Sequence, residues 1–442
     1  MTTLSNLWRT ERPLTTSGRL ERALLVIGGA FMAINLLALA LTRGFRAGDW
    51  ILLVVWVMCA VGGVKILEKY LPHRDPVFFA LPMVLTGWGL VVIDRLSDGY
   101  IYNFADRQAL WLVISTAVML VIAARPEPLR WLREYRYLIL LFGLILLIST
   151  ILFGTNPTGD RFAPQLWLGF RWLFFQPSEL LKIILVAFLA SYLAEQYPAL
   201  RAEGLNTGRG GVLALSPRIL GPIVLMWGLA VVLLIWQRDL GTATIFFGVF
   251  LILLYVASSN LTVLIGGGVL LLIAAIAGYN LFSVVQLRVD IWLDPWAQAD
   301  GRGYQIVQSL LAFAAGGVFG QGIGQGAPTY IPVVHSDFVF AAIAEEWGLL
   351  GVFVILSCLL AIIMRGMRVA VLQQERPFKA LLAVGLCALL AIQALLITGG
   401  SLRVLPLTGV TLPFISYGGS SLLASYMMMG LLLRLSEGSG AK

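Results

Sequence analysis

Long apolar runs alternate with short polar segments along almost the whole chain. Each run approaches the length of about 20 residues that an α-helix needs to cross a bilayer core of roughly 30 Å. Such runs must be helical, because the bilayer core has no water to satisfy an open backbone. The predicted spans are 23–41, 50–67, 77–93, 109–124, 137–153, 178–194, 219–236, 240–257, 261–281, 338–364, 378–397 and 414–433. The pattern therefore predicts an all-α fold, a polytopic membrane helical bundle of about 12 transmembrane helices.

The composition excludes a soluble globular protein. Hydrophobic residues make up 59% of the chain and charged residues 12%, and the mean hydropathy is +0.89. The net charge of +8 would suit a nucleic-acid partner, but none is expected, because the cations lie in loops without interleaved aromatic residues. Cys59, Cys358 and Cys387 all fall inside apolar runs and lack CxxC spacing, which argues against disulfides and against a metal site.

The distribution of loop cations predicts the orientation in the membrane. Segments on the N-terminal side hold 20 Lys and Arg residues, and the opposite loops hold 10. Under the positive-inside rule both termini are cytoplasmic, and the longest interruption, 282–337, is extracytoplasmic. Its apolar patch, Leu310–Ala315, predicts a short helix at the interface. No cleavable signal is expected, because a polar stretch precedes a first run of full spanning length.

Pro328–Gly351 passes from a polar loop directly into an apolar helix that carries acidic residues. Ionisable residues at membrane depth are costly and usually functional. At a rise of about 1.5 Å per residue, Glu345 would lie roughly 12 Å below Asp337 along the helix. Asp337, which follows His335 and Ser336, is the candidate catalytic carboxylate. It could alternatively serve only as the N-cap of the tenth span.

Two further segments place charges at helix starts. In Gln176-Pro177-Ser178-Glu179-Leu180-Leu181-Lys182, the acid and the lysine are three residues apart and share a helix face. They form either an ion pair that snorkels to the interface or a buried pair that faces a polar cavity. In Gln237-Arg238-Asp239-Leu240-Gly241-Thr242, the aspartate suits an N-cap of the eighth span and is also a candidate site residue.

Two glycine-containing segments carry open alternatives. The run Gly320–Gly326 lacks the Lys-Ser/Thr ending of a phosphate loop and follows no strand, so a mobile extracytoplasmic loop is favoured. The start of the last span holds Ser416, Tyr417, Gly418, Gly419 and Ser420. Small residues there suit close helix packing. Together with Pro413 they also suit an irregular backbone covered by a cavity.

These motifs, in this order, resemble the SEDS family (shape, elongation, division and sporulation), which includes RodA and FtsW. The matching stretches are QPSELLK (176–182), QRDLGT (237–242), HSDFVFAAIAEEWGLLG (335–351) and LPLTGVTLPFISYGGSS (405–421). The resemblance implies a core of ten spans at 77–435 that includes the loop 282–337. Residues 1–76, with two additional spans, precede this core, and a cytoplasmic tail, 436–442, follows it.

The resemblance implies a peptidoglycan glycosyltransferase of the bacterial cytoplasmic membrane that polymerises lipid II. The expected partners are a class B penicillin-binding protein and other membrane proteins of the elongation or division machinery. Asp337 matches the catalytic aspartate of the family. Glu179 and Lys182 match residues of its central cavity. The resemblance leans towards the elongation branch, and a division role stays open.

The sequence departs from the family pattern where cations are expected. Val333 and Val334 follow Pro332 in place of the common P-E, and Arg238 replaces a proline. Leu166 and Phe174 stand where many members carry arginine, so Arg161 or Arg171 would have to substitute. The candidates for contact with the leaving pyrophosphate are Lys182, Arg288, Arg171 and Arg403.

The expected chemistry assigns Asp337 as the general base that takes a proton from a sugar hydroxyl. A helix N-terminus would lower its pKa, whereas burial near Glu345 or Glu346 would raise it. A divalent cation, Mg²⁺ or Mn²⁺, could assist, although no ligand cluster in the sequence establishes it. The rival hypothesis from another class is a lipid II flippase, since charges around a midplane cavity also suit transport.

Overall fold

Fourteen α-helices and one β-hairpin form the described part of the computed structural model. It comprises residues 14–97, 104–156, 165–170, 173–206, 239–437 and isolated positions between 221 and 237. The helices are α1 (Leu14–Arg43), α2 (Ala47–Tyr70), α3 (Val77–Leu96), α4 (Phe104–Ala124), α5 (Glu127–Glu134), α6 (Arg136–Phe153), α7 (Pro177–Asn206), α8 (Leu240–Ser258), α9 (Leu261–Leu281), α10 (Ser283–Leu293), α11 (Tyr304–Gly316), α12 (Val339–Leu372), α13 (Pro377–Ser401) and α14 (Gly419–Glu437). Short 3₁₀ turns lie at Trp296–Gln298 and Pro328–Tyr330. The antiparallel strands β1 (Leu168–Phe170) and β2 (Leu173–Phe175) pair with Gly169 opposite Phe174.

Ten of the described helices are long and apolar enough to cross a membrane, which confirms a polytopic helical bundle. They are α1 to α4, α6 to α9, α12 and α13. The predicted span 219–236 lies mostly outside the described residues. The predicted last span is helix α14, which is rich in serine and almost wholly buried. Because little of α14 would meet lipid, it need not be as apolar as the ten. The total of twelve spans stays a prediction.

Burial separates central helices from peripheral ones. In α3, α7 and α13, the buried share of the apolar window is 94%, 89% and 72%, whereas in α9 it is 11%. Helix α3 packs against α1 and α12, α7 packs against α6, α8 and α13, and α4 packs against α14. Helices that are apolar on all sides can occupy the centre of such a bundle, and the motif with Glu179 and Lys182 lies at the start of α7, one of these central helices.

Gly348 divides α12 into two segments. Its backbone has φ 67° and ψ −166°, which interrupts the helix. Residues 349–372 would extend about 36 Å at a rise of about 1.5 Å per residue, so they can cross the bilayer without help. The preceding segment, Val339–Trp347, is termed the half-helix here. Its residues from Val339 to Glu346 are buried, so the half-helix lies inside the protein and carries Asp337 at its entrance.

Candidate active site

Asp337 lies two residues before the half-helix and is partly exposed. Protein surrounds its carboxyl group closely enough for burial to raise the pKa of Asp337, while a hydrogen bond from Ser336 and the charge of Arg288 oppose this rise. The hydrogen bond runs from Ser336 Oγ to Asp337 Oδ1 and measures 2.8 Å. The N-cap of α12 is Phe338, and no side chain caps the helix there. The hypothesis that Asp337 serves as the N-cap is therefore wrong.

The backbone before Asp337 has an unusual conformation. Val333 has φ 55°, which is a clear outlier for a β-branched residue. The Val333 carbonyl accepts hydrogen bonds from the amides of Ser336 and Asp337, each at 3.2 Å. Phe414 also has a positive φ of 68°. It lies in the loop between α13 and α14, residues 402–418, which is termed the facing loop. Conformations of this kind cost about 1–3 kcal/mol each and persist where the surroundings hold them, often at functional sites.

The segment 335–337 is bound to the segment that precedes α14. The Tyr417 amide donates to the His335 carbonyl at 2.9 Å. Ser416 Oγ donates to the Ser336 carbonyl at 2.6 Å and accepts from the Leu412 amide at 2.9 Å. These bonds couple the segment that contains Asp337 to residues 412–417, so Ser416 fixes the backbone next to the candidate base.

His335 is held by aromatic rings. It stacks on Phe104 with 4.5 Å between ring centroids and meets the Tyr417 ring edge-on at 5.5 Å. Burial lowers the pKa of His335 to about 4, so its imidazole is neutral at physiological pH. Burial also raises the pKa of Tyr417, and a hydrogen bond with Arg107 opposes that rise. Neither ring supplies a charge near Asp337 at neutral pH.

Glu179 and Lys182 form a buried ion pair on α7. Lys182 Nζ lies 2.8 Å from Glu179 Oε1, and the side chains are 2% and 9% exposed. The hypothesis that this pair snorkels to the interface is therefore wrong. Lys182 Nζ also donates to Gln393 Oε1 at 3.3 Å, and Gln393 Nε2 donates to the Thr411 carbonyl at 2.9 Å. Gln393, on α13, thus connects the pair to the loop that faces Asp337.

Asp239 and Arg288 link the ion pair to Asp337 electrostatically. Asp239 is the predicted N-cap of α8, since its Oδ1 accepts from the Thr242 amide at 3.1 Å. Burial raises the pKa of Asp239, and the hydrogen bonds from Thr242 and the charge of Lys182 oppose the rise. Burial lowers the pKa of Arg288, and the charges of Asp239 and Asp337 oppose this. Arg288 therefore lies within electrostatic reach of both acids.

Several buried polar atoms near Asp239 have no hydrogen-bond partner among the described residues. They are Asp239 Oδ2, Thr408 Oγ1 and Gln237 Oε1. Thr408 is close to the start of α8, because a Cβ on Gly241 would lie 2.8 Å from the Thr408 carbonyl oxygen. Buried polar groups are nearly always satisfied, so unsatisfied ones need an explanation. A polar ligand at this position would satisfy them.

Gly409 brings the facing loop close to the candidate base. Its φ is +70°, and a Cβ placed on it would lie 3.8 Å from Asp337 Oδ2. Four residues near the site were not among the predicted site residues: Gly409, Gln393, Thr408 and Gln108. For Gly409 the glycine itself was an available turn signal. For Gln393 and Gln108 the available signal was an isolated amide in an apolar helix, which must find a partner.

The other predicted residues take supporting positions. The Gly418 amide donates to Gln108 Oε1 at 3.3 Å, and Ser420 Oγ accepts from the Gln176 amide at 2.9 Å. A Cβ on Gly419 would lie 2.1 Å from the Trp111 indole, so this position requires glycine. Arg171 and Arg161 lie outside the described residues. Their roles in substrate contact stay predictions.

Arg403 is used within the fold. Its Nε donates to the Trp292 carbonyl at 2.8 Å, and its Nη2 donates to the Leu293 carbonyl. The guanidinium therefore fastens the end of α10 to the loop after α13. This makes Arg403 a weaker candidate for pyrophosphate contact than Arg288, whose charge acts on the two acids.

Glu345 and Glu346 do not act on Asp337, contrary to one of the sequence-based expectations. Glu345 Oε1 accepts from the Ala327 amide at 2.8 Å. Glu346 Oε1 accepts from the Gly324 amide at 3.2 Å and from Arg95 Nε at 3.1 Å. The groups that shift the pKa of Asp337 do not include either acid. Both carboxylates instead hold the glycine-rich loop.

That loop, residues 317–327, packs along the break in α12 and does not stand free. The Gln321 and Gly322 amides donate to the carbonyls of Glu345 and Glu346 at 2.9 and 3.0 Å. In return, the Leu349 amide donates to the Gly317 carbonyl at 3.0 Å. The loop thus satisfies the backbone groups that the break at Gly348 leaves open, as membrane proteins require at depth.

The fit of a divalent cation can be tested on the described side chains. No group of three or more His, Cys, Asp or Glu residues in the described ranges could hold a metal ion. Mg²⁺, however, is usually held by one or two carboxylates plus substrate phosphates. The unsatisfied Asp239 Oδ2 fits that donor type. The cation stays a prediction.

The fold and this site define a multi-pass membrane protein with a buried charged site beside a broken helix. A family model described as "Cell cycle protein", for FtsW, RodA and SpoVE, matches residues 76–440. The chain therefore belongs to the FtsW/RodA/SpoVE family. The match starts at the turn between α2 and α3, so α1 and α2 precede the matched region.

Curated relatives agree with this assignment. The chain is 34% identical over 436 residues to "Peptidoglycan glycosyltransferase RodA" of Mycobacterium leprae, which covers 96% of this chain and 91% of the relative. It is 36% identical over 383 residues to the protein of that name in Mycobacterium tuberculosis, covering 84% and 80%. A "Probable peptidoglycan glycosyltransferase FtsW" of Geobacter metallireducens is 33% identical over 398 residues, covering 84% and 96%.

Solved structures share the architecture. A chain from a structure entitled "Structural coordination of polymerization and crosslinking by a peptidoglycan synthase complex" matches with a TM-score of 0.67 and 27% identity. The match covers 84% of this chain and 99% of that chain. Thermus thermophilus RodA matches with a TM-score of 0.57 and 24% identity, covering 84% and 98%, which supports the fold.

Proposed function

We propose that this protein is a peptidoglycan glycosyltransferase that polymerises lipid II at the outer face of the bacterial cytoplasmic membrane, with Asp337 as the general base. The observation that carries the proposal is the environment of Asp337. Asp337 does not cap a helix and is a partly exposed residue, and among the described residues its carboxylate accepts a hydrogen bond from Ser336. The mycobacterial relatives carry a glycosyltransferase name at 34–36% identity, which supports the same chemistry and favours the RodA branch.

In the proposed reaction, the 4-hydroxyl of one lipid-linked disaccharide attacks the anomeric carbon of another. Asp337 takes the hydroxyl proton as the new carbon–oxygen bond forms. The bond between the anomeric carbon and the pyrophosphate oxygen breaks, and the lipid pyrophosphate leaves with its electron pair. A positioned general base typically contributes about 10²–10⁴-fold to such a step. The raised pKa of Asp337 makes its carboxylate a better proton acceptor than an exposed aspartate.

The leaving pyrophosphate needs positive charge where negative charge develops. Arg288 is the first candidate, because its charge already acts on Asp239 and Asp337. Lys182 is largely neutralised by Glu179 at 2.8 Å, so it is better suited to orient polar groups around Gln393. A divalent cation, Mg²⁺ or Mn²⁺, held by Asp239 and substrate phosphates would supply further charge neutralisation when bound.

The proposed partners follow from the same comparisons. The structure with a TM-score of 0.67 is entitled as a synthase complex that coordinates polymerization and crosslinking. We infer that this protein works with a class B penicillin-binding protein, which would cross-link the new strand. Other membrane proteins of the elongation machinery are expected in the same assembly. The FtsW relatives at 33% identity keep a division role as the alternative.

Reconstitution separates polymerisation from transport. The purified protein in liposomes that contain lipid II, with Mg²⁺ and with a cognate penicillin-binding protein, should convert lipid II into glycan chains visible on a gel. A flippase would instead move labelled lipid II between leaflets without forming polymer. Translocation without polymer in all of these conditions would contradict the proposal.

A further inference from the structure

Helix α1 precedes the region matched by the family model, yet it contacts the half-helix directly. Trp347 Nε1, at the end of the half-helix, donates to Asn35 Oδ1 on α1 at 3.2 Å. Asn35 is 7% exposed, and its Nδ2 donates to the Phe31 carbonyl at 2.8 Å. A buried asparagine in an apolar helix is costly unless it is bonded, and such residues often join helices in membranes.

Aromatic rings reinforce this junction. Trp88, on α3, lies between Phe31 of α1 and Trp347 of the half-helix. The ring centroids are 4.7 Å apart in the first pair and 5.7 Å apart in the second. Such contacts add to the stabilisation that simple burial provides. The half-helix therefore ends in a stack that includes α1.

Charges make a second connection between the same elements. Arg43, the last residue of α1, pairs with Asp94 of α3 and with Asp49 of α2, the latter at 3.1 Å. Arg95, which follows Asp94 on α3, pairs with Glu346 of the half-helix at 3.1 Å. All five side chains are at most 14% exposed. A buried ion pair is strongly destabilised when one partner is removed. Loss of the Arg43 charge at the end of α1 should therefore affect the half-helix.

We propose that α1 positions the half-helix, and thereby Asp337, through Asn35–Trp347 and the Arg43–Asp94 and Arg95–Glu346 pairs. The N-terminal helices would then be a working part of the polymerase and not an accessory anchor. This inference rests on the proposed function of Asp337. Asn35 and Trp347 are positioning residues, because they act on the base through the half-helix.

The test uses Asn35→Leu, Trp347→Phe and the double variant, with Ile34→Ala as the matched control. Ile34 is the neighbour of Asn35 on α1 but is 66% exposed. Each positioning variant should lower kcat for lipid II roughly tenfold while leaving KM within about twofold, since a misplaced group mainly affects the reacting geometry. The double variant should be no worse than the worse single variant, because both remove one contact.

Amide hydrogen exchange provides a readout independent of activity. Asn35→Leu should speed exchange in Val339–Trp347 at least about tenfold and leave α13 unchanged. Unchanged kcat and exchange, or losses that multiply in the double variant, would overturn the positioning role. If the unmutated protein makes no polymer, the proposed function is wrong. Unchanged hydrogen exchange in Asn35→Leu is a separate result, and it would overturn the coupling between α1 and the half-helix.

A second inference stands on a different region, the cavity between α5, α13 and α14. This cavity measures about 360 Å³ and is lined by Arg130, Arg133, Lys379 and Arg434, together with Glu134 and Glu437. Four cations and two carboxylates leave a net lining charge of +2. The cavity lies on the side that the loop cations predict to be cytoplasmic.

Both carboxylates of this cavity already accept hydrogen bonds, one of them from the lining cation Arg130. Glu134 accepts from Arg130 at 2.8 Å, and Glu437 accepts from the His73 amide at 3.0 Å. Within the described residues, Arg133, Lys379 and Arg434 have no carboxylate at ion-pair distance. The charges of Arg376 and Arg434 also act on Lys379. Cations that repel one another around a cavity favour a bound anion.

The position of α5 indicates which anion is available. This short helix connects α4 to α6, and exposed Trp131 and Tyr135 lie along and just after it. Aromatic residues of this kind mark the membrane interface. Leu129 and Phe378 give the cavity an apolar part, which suits the glycerol and upper acyl region of a lipid. Anionic lipids of the cytoplasmic leaflet bind basic pockets between helices.

We infer that this cavity binds the phosphate of an anionic phospholipid headgroup. The test places the protein in nanodiscs of mixed phosphatidylglycerol and phosphatidylcholine and measures which lipid stays bound. The pocket variant Arg133→Gln/Arg434→Gln is compared with Lys65→Gln/Lys69→Gln. The control removes the same charge from exposed positions on the same side of the membrane.

The unmutated protein and the control should enrich phosphatidylglycerol roughly fivefold over the bulk composition, and the pocket variant should lose this enrichment. Equal enrichment in the pocket variant would overturn the assignment. A separate arm adds inorganic phosphate to nanodiscs that contain only phosphatidylcholine. If phosphate alone stabilises the protein against heat as well as phosphatidylglycerol does, the cavity takes a soluble anion and the lipid assignment is wrong.

Discussion

At Asp337, burial and polar contacts act on the pKa in opposite directions. Burial raises it and has the largest effect, whereas the Ser336 hydroxyl and the Arg288 charge lower it. A base must be ionised to accept a proton, yet it accepts more readily when its pKa is high. The surroundings of Asp337 thus let the carboxylate ionise and also make it a stronger base. This resolves the conflict between helix end and burial that the sequence left open.

Ser336→Ala should move the acidic limb of the activity profile to higher pH. The substitution removes the hydrogen bond that favours the ionised carboxylate, so the pKa of Asp337 rises. Activity that needs the ionised base is present above this pKa and is lost as the pH falls through it. A hydrogen bond to a charged group is worth about 1.5–3 kcal/mol, which corresponds to a shift of at least about one pH unit. The measurement is kcat/KM for lipid II polymerisation against pH.

The control for this experiment is Ser149→Ala on α6, whose hydroxyl, among the described residues, donates only to the Leu146 carbonyl of its own helix. Its profile should match that of the unmutated protein. His335 should add no limb near neutral pH, because burial lowers its pKa to about 4. An acidic limb that stays in place in Ser336→Ala, or moves to lower pH, would contradict the role given to this hydrogen bond.

The buried pair Glu179–Lys182 should show strong coupling. Either Glu179→Gln or Lys182→Met leaves one charge buried without its partner, which typically costs about 3–5 kcal/mol. Replacing both together should cost much less than the sum. The free energy of unfolding, measured by denaturing-detergent titration, tests this. Glu68→Gln, in the exposed pair with Arg22, is the control and should change little. Additive losses at Glu179 and Lys182 would contradict the buried pairing.

Single residues differed in how well the sequence predicted them. The cap of α8 by Asp239 and the pair Glu179–Lys182 depend on neighbours in the chain, and both were predictable from spacing. The stack of His335 on Phe104 and the bond from Lys182 to Gln393 join residues more than 200 positions apart. Local patterns carry no information about such contacts, so these partners came only from the structure.

Among the elements, the broken helix α12 departs most from the predicted span. Its apolar pattern continues through Gly348 without proline, so periodicity predicted one helix from 338 to 364. The helix in fact runs to Leu372 with a break at Gly348. The break depends on the loop 317–327, which supplies hydrogen bonds to the opened backbone. The hairpin β1–β2 was also missed, because two strands of three residues leave almost no periodic signal.

Gly316→Ala should disturb the loop that holds the half-helix. A Cβ at this position would lie 1.9 Å from the Ala344 carbonyl oxygen, which is backbone and cannot rotate away. Overpacking of this kind typically costs about 1–3 kcal/mol, and displacement of the half-helix should also lower the polymerisation rate. The free energy of unfolding and the rate of glycan formation are the measurements.

Gly268→Ala is the matched control for that experiment. Gly268 also lies in a helix, α9, but a Cβ there meets nothing within 4 Å. The control should be neutral or slightly stabilising, since alanine favours a helix over glycine by about 1 kcal/mol. Equal behaviour of the two variants would show that the close approach at Gly316 does not constrain the half-helix.

For the whole molecule, the loop charges predict which face meets the cytoplasm. Single cysteines at Tyr330, which is 68% exposed, and Trp131, which is 52% exposed, test this after Cys59, Cys358 and Cys387 are replaced. A membrane-impermeant maleimide should label Tyr330→Cys in intact cells. It should label Trp131→Cys only after permeabilisation. The reverse labelling pattern would show that the topology is opposite to the predicted one. The candidate site would then lie on the cytoplasmic face, where the proposed reaction does not occur.

The bundle as a whole was largely predictable, because bilayer thickness and backbone hydrogen bonding leave few alternatives to long helices. Which helices are central was not predictable, since α3 and α9 are both apolar and only packing separates them. The position of α14 shows the same limit. Its serines look too polar for a span, and they are accommodated because neighbouring helices, not lipid, surround them.

The rate of lipid II polymerisation by purified Asp337→Asn tests the central assignment most directly. Asparagine can still accept the hydrogen bond from Ser336, so unfolding of the variant should match that of the unmutated protein. Without a base, the polymerisation rate should fall about 10²–10⁴-fold. If Asp337→Asn instead forms glycan at a rate within about threefold of the unmutated rate, far from the loss expected for a missing general base, then Asp337 does not accept the proton.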